Sequence, residues 1–96
     1  MSEQQVQTGI LKMLKKEFPG YWKKWSDKYQ VGIPDIAGCY KGYYVAIEVK
    51  DHGKLKHVTV KQQYDIDQII KEGGFAMAAD NKEMVRVALR KHFDIT

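Results

Sequence analysis

The chain has a single cysteine, Cys39, so no disulfide can close within it, and a reducing compartment is its expected home. No apolar run approaches the roughly 20 residues that a membrane-crossing helix needs. Neither end carries a visible secretory leader or lipidation signal, and repeats, low-complexity tracts and linkers are lacking. These absences point to one domain, 1–96, with room for a single modest core and no membrane partner. Charge of one sign is also scarce. A formal net charge of +4 leans only weakly towards an acidic partner such as nucleic acid. With 44% hydrophobic and 29% charged residues, the chain reads as an ordinary globular domain rather than a disordered one.

Within that frame the element signals are clear. Ser2-Glu3-Gln4-Gln5 has the form of a capping box. Val6, Ile10, Met13 and Leu14 then recur at helical spacing until Pro19-Gly20 stops the helix. Tyr21 to Tyr29 (YWKKWSDKY) reads as one strand and a loop. Ile36–Tyr40 and Tyr43–Lys50 read as strands around a Lys41-Gly42 turn, although lysine is not the ideal first turn residue. Asp51 to His57 is a polar loop. Thr59-Val60-Lys61-Gln62 is a second capping box, opening a helix with an Ile66, Ile69 and Ile70 stripe that Gly73-Gly74 ends. Phe75–Ala79 forms a short buried strand, and Asp80 or Asn81 caps a last helix with Val85, Ala88 and Leu89 inward. The expected fold class is α/β, a small αβββαβα domain with a central mixed sheet flanked by helices.

A two-residue turn at Lys41-Gly42 sets the hairpin register. Tyr40 then faces Tyr43, Ala37 faces Ala46, and Asp35 faces Glu48. Opposed residues bring their Cβ atoms to about 4.5–5.5 Å, where like charges repel. By alternation Tyr44, Ala46, Glu48 and Lys50 share a face with Ala37 and Cys39, while Val45, Ile47 and Val49 line the other. Taken singly, Asp35 is a common turn residue after proline, and Glu48 with Lys50 is a wet strand face. Taken together they put two acids and one amine at one end of a hairpin. A hard cation between the acids, with oxygen ligands at about 2.1 Å, removes the repulsion.

Gly32-Ile33-Pro34-Asp35, a hairpin, then Glu48-Val49-Lys50 resembles the PD-(D/E)XK nuclease signature, and more narrowly the virus-type replication-repair nuclease (VRR-NUC) domain. Glu3, Val6 and Gln7 match its opening acid, apolar residue and glutamine; Gln62 matches the glutamine of the next helix and Gly73-Gly74 the pair that closes it. The likeness runs over roughly residues 3–80. A slightly long loop from Lys50 to Thr59 and the aromatic, basic stretch from Tyr21 to Tyr29 depart from the pattern.

The resemblance implies a restriction-endonuclease-like fold and metal-dependent phosphodiester hydrolysis. Asp35, Glu48 and the Val49 carbonyl would hold magnesium or manganese, with no small-molecule cofactor, and Lys50 would orient water or stabilise charge on the phosphate. Glu3 would support the metal site, or simply be an acid at a helix N-terminus. Gln62 would steady Lys50 or a phosphate, or only cap its helix with Thr59. Lys23, Lys24, Lys28, Lys54 and Lys61 are the candidate nucleic-acid contacts. Lysines interleaved with Tyr21, Trp22, Trp25 and Tyr29 suit phosphates and unpaired bases, and suit equally a solvated face over core aromatics. His52 and His57 lack a metal spacing, Arg86, Arg90 and Lys91 read as a solvated face, and Cys39 reads as a small packed hydrophobe.

The specific expectation is a Holliday-junction resolvase-like DNA endonuclease, working as a homodimer in the cytoplasm of a bacterium or phage-infected host. Flap or duplex cleavage comes next. The competing class is a catalytically inactive nucleic-acid-binding module on the same fold, which would have no use for opposed acids that repel phosphate.

Overall fold

Ser2 opens the first helix, α1 (Glu3–Glu17), through a reciprocal capping box: its hydroxyl accepts the Gln5 N–H at 3.2 Å, and Gln5 Oε1 accepts the Ser2 N–H at 2.9 Å. The structure, a computed structural model, describes residues 2–25 and 34–95. Strands β1 (Tyr21–Lys24), β2 (Ile36–Tyr40) and β3 (Tyr43–Val49) follow. A 3-10 turn at Leu55–His57 then leads to α2 (Val60–Lys71), β4 (Phe75–Ala79) and α3 (Lys82–His92). This is the αβββαβα order expected. The ambiguous stretch after Pro19-Gly20 contributes a four-residue edge strand, and its remainder lies outside the described residues.

The sheet runs β1-β2-β3-β4, antiparallel except for the parallel β3–β4 pair that α2 connects. Lys41 and Gly42 adopt φ of 51° and 84°, both in the left-handed region that a tight hairpin turn demands. They fix the register Tyr40↔Tyr43 through Ala37↔Ala46 to Ile36↔Ile47. At Gly38 a Cβ would fall 1.9 Å from the Tyr21 carbonyl oxygen, so β1 approaches β2 too closely for any side chain there.

Helices α1 and α3 cover one face of the sheet, where Ile10, Leu14, Phe18, Ile36, Val45, Ile47, Val49, Val85 and Leu89 form the main core. Bidentate pairing of Arg86 with Glu17, at 2.8 and 2.7 Å, joins these two helices; Arg86 is therefore an ion-pair partner and not part of a free basic face. On the opposite face α2 covers only the β3–β4 half, packing Ile66 and Ile69 onto Ala46, Ala76 and Ala78. Among the described residues no helix lies over the β1–β2 half of that face, and Cys39 is exposed there rather than packed.

Two further caps position the loops around the site. A full Schellman closure ends α2: Gly73, at φ 94°, donates to the Ile70 carbonyl and Gly74 to the Ile69 carbonyl. Asn81, of the two candidates, caps α3 by accepting the Met84 N–H at 2.8 Å. Asp80 instead accepts the Gly53 N–H at 2.9 Å and ties down the loop after β3; that bond holds its carboxyl below the usual range.

Candidate functional site

The hairpin brings the Asp35 and Glu48 carboxyls together. Asp35 lies in a bend just before β2, one residue beyond the last ladder pair, Ile36↔Ile47, so it faces Glu48 without being a strand residue. Its side chain turns across the hairpin, where Oδ2 accepts the Val49 N–H at 2.7 Å. Its backbone carbonyl accepts from Trp25 N at 2.8 Å and from Gln7 Nε2 at 3.1 Å. Gln7, buried on α1, thereby fixes the position of Asp35 from the far side of the hairpin.

Glu48 projects from β3 onto the face that α2 half-covers. Burial, with the adjacent Asp35 carboxyl next in weight, pushes its pKa up to about 8, against a weaker opposing pull from Lys50. Gln62 Nε2 donates to Glu48 Oε1 at 3.2 Å. The same Gln62 amide accepts the Thr59 N–H at 3.0 Å, and its own backbone N–H reaches the Thr59 hydroxyl at 3.1 Å. The capping expected from the sequence is made, and the same side chain also reaches the site, at Glu48 rather than at the Lys50 expected for it.

Lys50 follows directly, its backbone N–H bonded to the Ala79 carbonyl at 2.9 Å. Its ammonium is close enough to lower the pKa of both Glu48 and Glu3. Glu3, in the first turn of α1, is raised by partial burial and then by Asp35 and Asp51, so it faces the acid pair while also occupying a helix N-terminus. Asp35, Glu48, Lys50, Glu3 and Gln62 therefore meet at one place.

No known family model matches the sequence, and no curated protein does either. A solved structure described as a VRR_NUC domain protein superposes with a TM-score of 0.74 at 22% identity, over 100% of this chain and 91% of that one. The chain has the VRR-NUC fold. The match spans every described element of this chain, so the acid pair, the lysine and the two glutamines all sit within the VRR-NUC framework rather than on an appendage.

On this VRR-NUC scaffold the donor set suits a hard divalent cation. Both anionic groups are carboxylates, and the Glu48 pKa is raised first by burial and then by the neighbouring Asp35 carboxyl, with only a weaker opposing pull from Lys50. Among the described residues no group of three or more His, Cys, Asp and Glu side chains forms a metal cage. A cation here would thus depend on the Asp35–Glu48 pair completed by backbone oxygen or water. The Val49 carbonyl leaves the same edge of β3 as its N–H, because a strand residue presents both groups to one side, and that edge is the one Asp35 occupies.

The candidate phosphate contacts are dispersed around the VRR-NUC fold. Lys23 shares the acid face through its pairing with Ala37, whereas Lys24, paired with Ile36, alternates to the opposite one. Lys54 is exposed on the loop tied down by Asp80, and Lys61 is bonded to Asp65 at 2.6 Å within α2. Lys28, with Gly32 of the motif, lies outside the described residues. His52 and His57 are exposed. Sequence reading did not give Gln7 or Asp51 a role of its own; an apolar helical stripe interrupted by a buried glutamine was the signal for Gln7.

Proposed function

We propose that the chain is a metal-dependent nuclease that hydrolyses phosphodiester bonds in DNA at the Asp35–Glu48–Lys50 site. The observation that carries this reading is the convergence of the two carboxyls, one braced by Val49 N–H and the other by Gln62, beside the Lys50 ammonium on a VRR-NUC fold. A binding module gains nothing from half-buried acids that repel phosphate.

Asp35 and Glu48, with the Val49 carbonyl, are the groups that would hold magnesium or manganese. When bound, such an ion neutralises charge at the phosphate and lowers the pKa of a coordinated water. Lys50 presents a fixed positive charge to the oxyanion that grows as the phosphodiester is attacked, and can orient the attacking water. Gln62 holds the Glu48 carboxyl in one orientation, and Gln7 holds the Asp35 backbone. Glu3 adds negative charge at the rim and shares the influence of Lys50.

A branched substrate cut by a homodimer, as in Holliday-junction resolution, is the specific form of this proposal. The domain measures 33 × 30 × 22 Å, and one copy has too little surface to grip four duplex arms. The test is incubation with labelled junction, flap, single-stranded and linear duplex DNA, in magnesium, manganese or chelator. The expected result is divalent-dependent cutting of the junction ahead of linear duplex, from a dimer in sedimentation. Cutting by a strict monomer would remove junction resolution and leave nuclease activity standing.

A further inference from the structure

The open half of the acid face carries an apolar groove of about 470 Å³ lined by Tyr21, Trp25, Pro34, Ala37, Cys39 and Tyr44. Its residues stand in rows set by the strand register. Tyr21, Cys39 and Tyr44 are cross-strand neighbours in one row, and Lys23, Ala37 and Ala46 form the next. The third row brings Trp25, whose N–H bonds the Asp35 carbonyl, alongside Asp35 and then Glu48. Tyr44 and Glu48 share a face four residues apart, or roughly 13 Å by strand rise. Pro34 lines both this groove and the smaller pocket that contains Glu48 and Gln62, so the two adjoin at that residue.

Small floor residues flanked by aromatic walls leave a slot for a flat ring. Tyr21, Trp25 and Tyr44 are 60%, 47% and 46% exposed, unusually open for large rings around an apolar groove. Among the described residues, Lys23 stands in the neighbouring row of this face, and none of the side chains that line the groove is charged. The combination of aromatic walls, a neighbouring cation and closeness to the proposed phosphodiester site favours an anionic polymer with planar apolar bases over a purely apolar protein surface.

We propose that this groove is a stacking platform for unpaired bases of the strand whose phosphodiester lies at Asp35 and Glu48. The direction of that strand rests on the nuclease reading; the stacking does not. Unpaired bases expose the π-faces that a duplex keeps stacked, so the platform selects DNA with a single-stranded stretch next to the cut.

The test is fluorescence anisotropy in chelator, with a labelled thymidine oligomer about ten nucleotides long and a duplex of the same length. Wild type is compared with Tyr21→Ala, Tyr44→Ala, Tyr21→Phe and Tyr44→Phe, each checked by thermal melting. The expected result is tighter binding of the single strand than of the duplex, weakened on the order of tenfold by each alanine and kept by each phenylalanine. Exposed Trp25 should be quenched by the oligomer. Unchanged single-strand affinity in alanine variants that melt like wild type would overturn the proposal. So would variants that only dissociate a wild-type dimer, which would make the groove a contact between copies. Should no DNA be cut in any cation while the stacking pattern holds, the nuclease reading fails and the platform stands; should Asp35-dependent cutting ignore the aromatics, the platform fails alone.

Discussion

Gln62 Nε2 donates to Glu48 Oε1 at 3.2 Å while Oε1 of the same amide accepts the Thr59 N–H at 3.0 Å. The start of α2 and the orientation of a site carboxyl are thus set by one side chain. Its two duties can be separated, because a glutamate at this position still closes the capping box but cannot donate to Glu48. Gln62→Glu should melt like wild type, since the capping box is kept, and cut DNA at least tenfold more slowly. Gln62→Ala should lose both, with roughly 1 kcal/mol of stability gone. Paired thermal melts and single-turnover rates read the two effects apart.

Glu48 is a burden on the metal-free fold. Between its ordinary pKa of 4.5 and about 8, the folded chain keeps a proton on Glu48 that the unfolded chain has released, so stability falls as pH rises through that window. The metal-free Tm should decline from about pH 5 to about pH 8, and Glu48→Gln should flatten that decline and melt higher at the alkaline end. Magnesium should raise the wild-type Tm and leave that of Glu48→Gln unmoved.

Lys50 lies beside the acids without being a ligand to a cation. Lys50→Ala should therefore lower the cleavage rate by about 10²–10³-fold, the usual cost of losing one preorganised charge-stabilising group. Manganese affinity should be unchanged or slightly tighter, since a competing positive charge has gone. Parallel rate and metal-binding titrations would reveal any coupling of the two.

Gly38 tests the sheet rather than the chemistry. An added Cβ meets the Tyr21 carbonyl oxygen at 1.9 Å and the Trp22 ring at 2.7 Å, both held by the β1–β2 pairing. Gly38→Ala should destabilise the fold by at least about 2–3 kcal/mol and free β1 first, visible as rapid amide exchange at Tyr21–Lys24 in denaturant-free buffer.

The parts legible in the sequence were those written in local chemistry. Lys41-Gly42 read as a two-residue turn despite its lysine, and once that turn formed the hairpin register followed, and with it the meeting of Asp35 and Glu48. Ser2 to Gln5, Thr59 to Gln62 and Gly73-Gly74 marked helix ends with recognisable caps. Contacts distant along the chain were not legible. Nothing near Arg86 announces Glu17, 69 residues away, and nothing near Gln7 announces the Asp35 carbonyl. The exposure of Cys39 was hidden for a different reason: strand alternation names a face but not how much of it a helix covers, and α2 stops short of β2. Asp35 lay one step past regular pairing because its side chain, not its backbone, takes the Val49 N–H.

The most direct test of the paired carboxyls is manganese titration followed by electron paramagnetic resonance, on wild type, Asp35→Asn and Glu48→Gln. Wild type should bind the ion at a saturable site, and each substitution should weaken that binding at least tenfold in a protein that still melts cooperatively. Equal affinity in all three would contradict a cation held between Asp35 and Glu48.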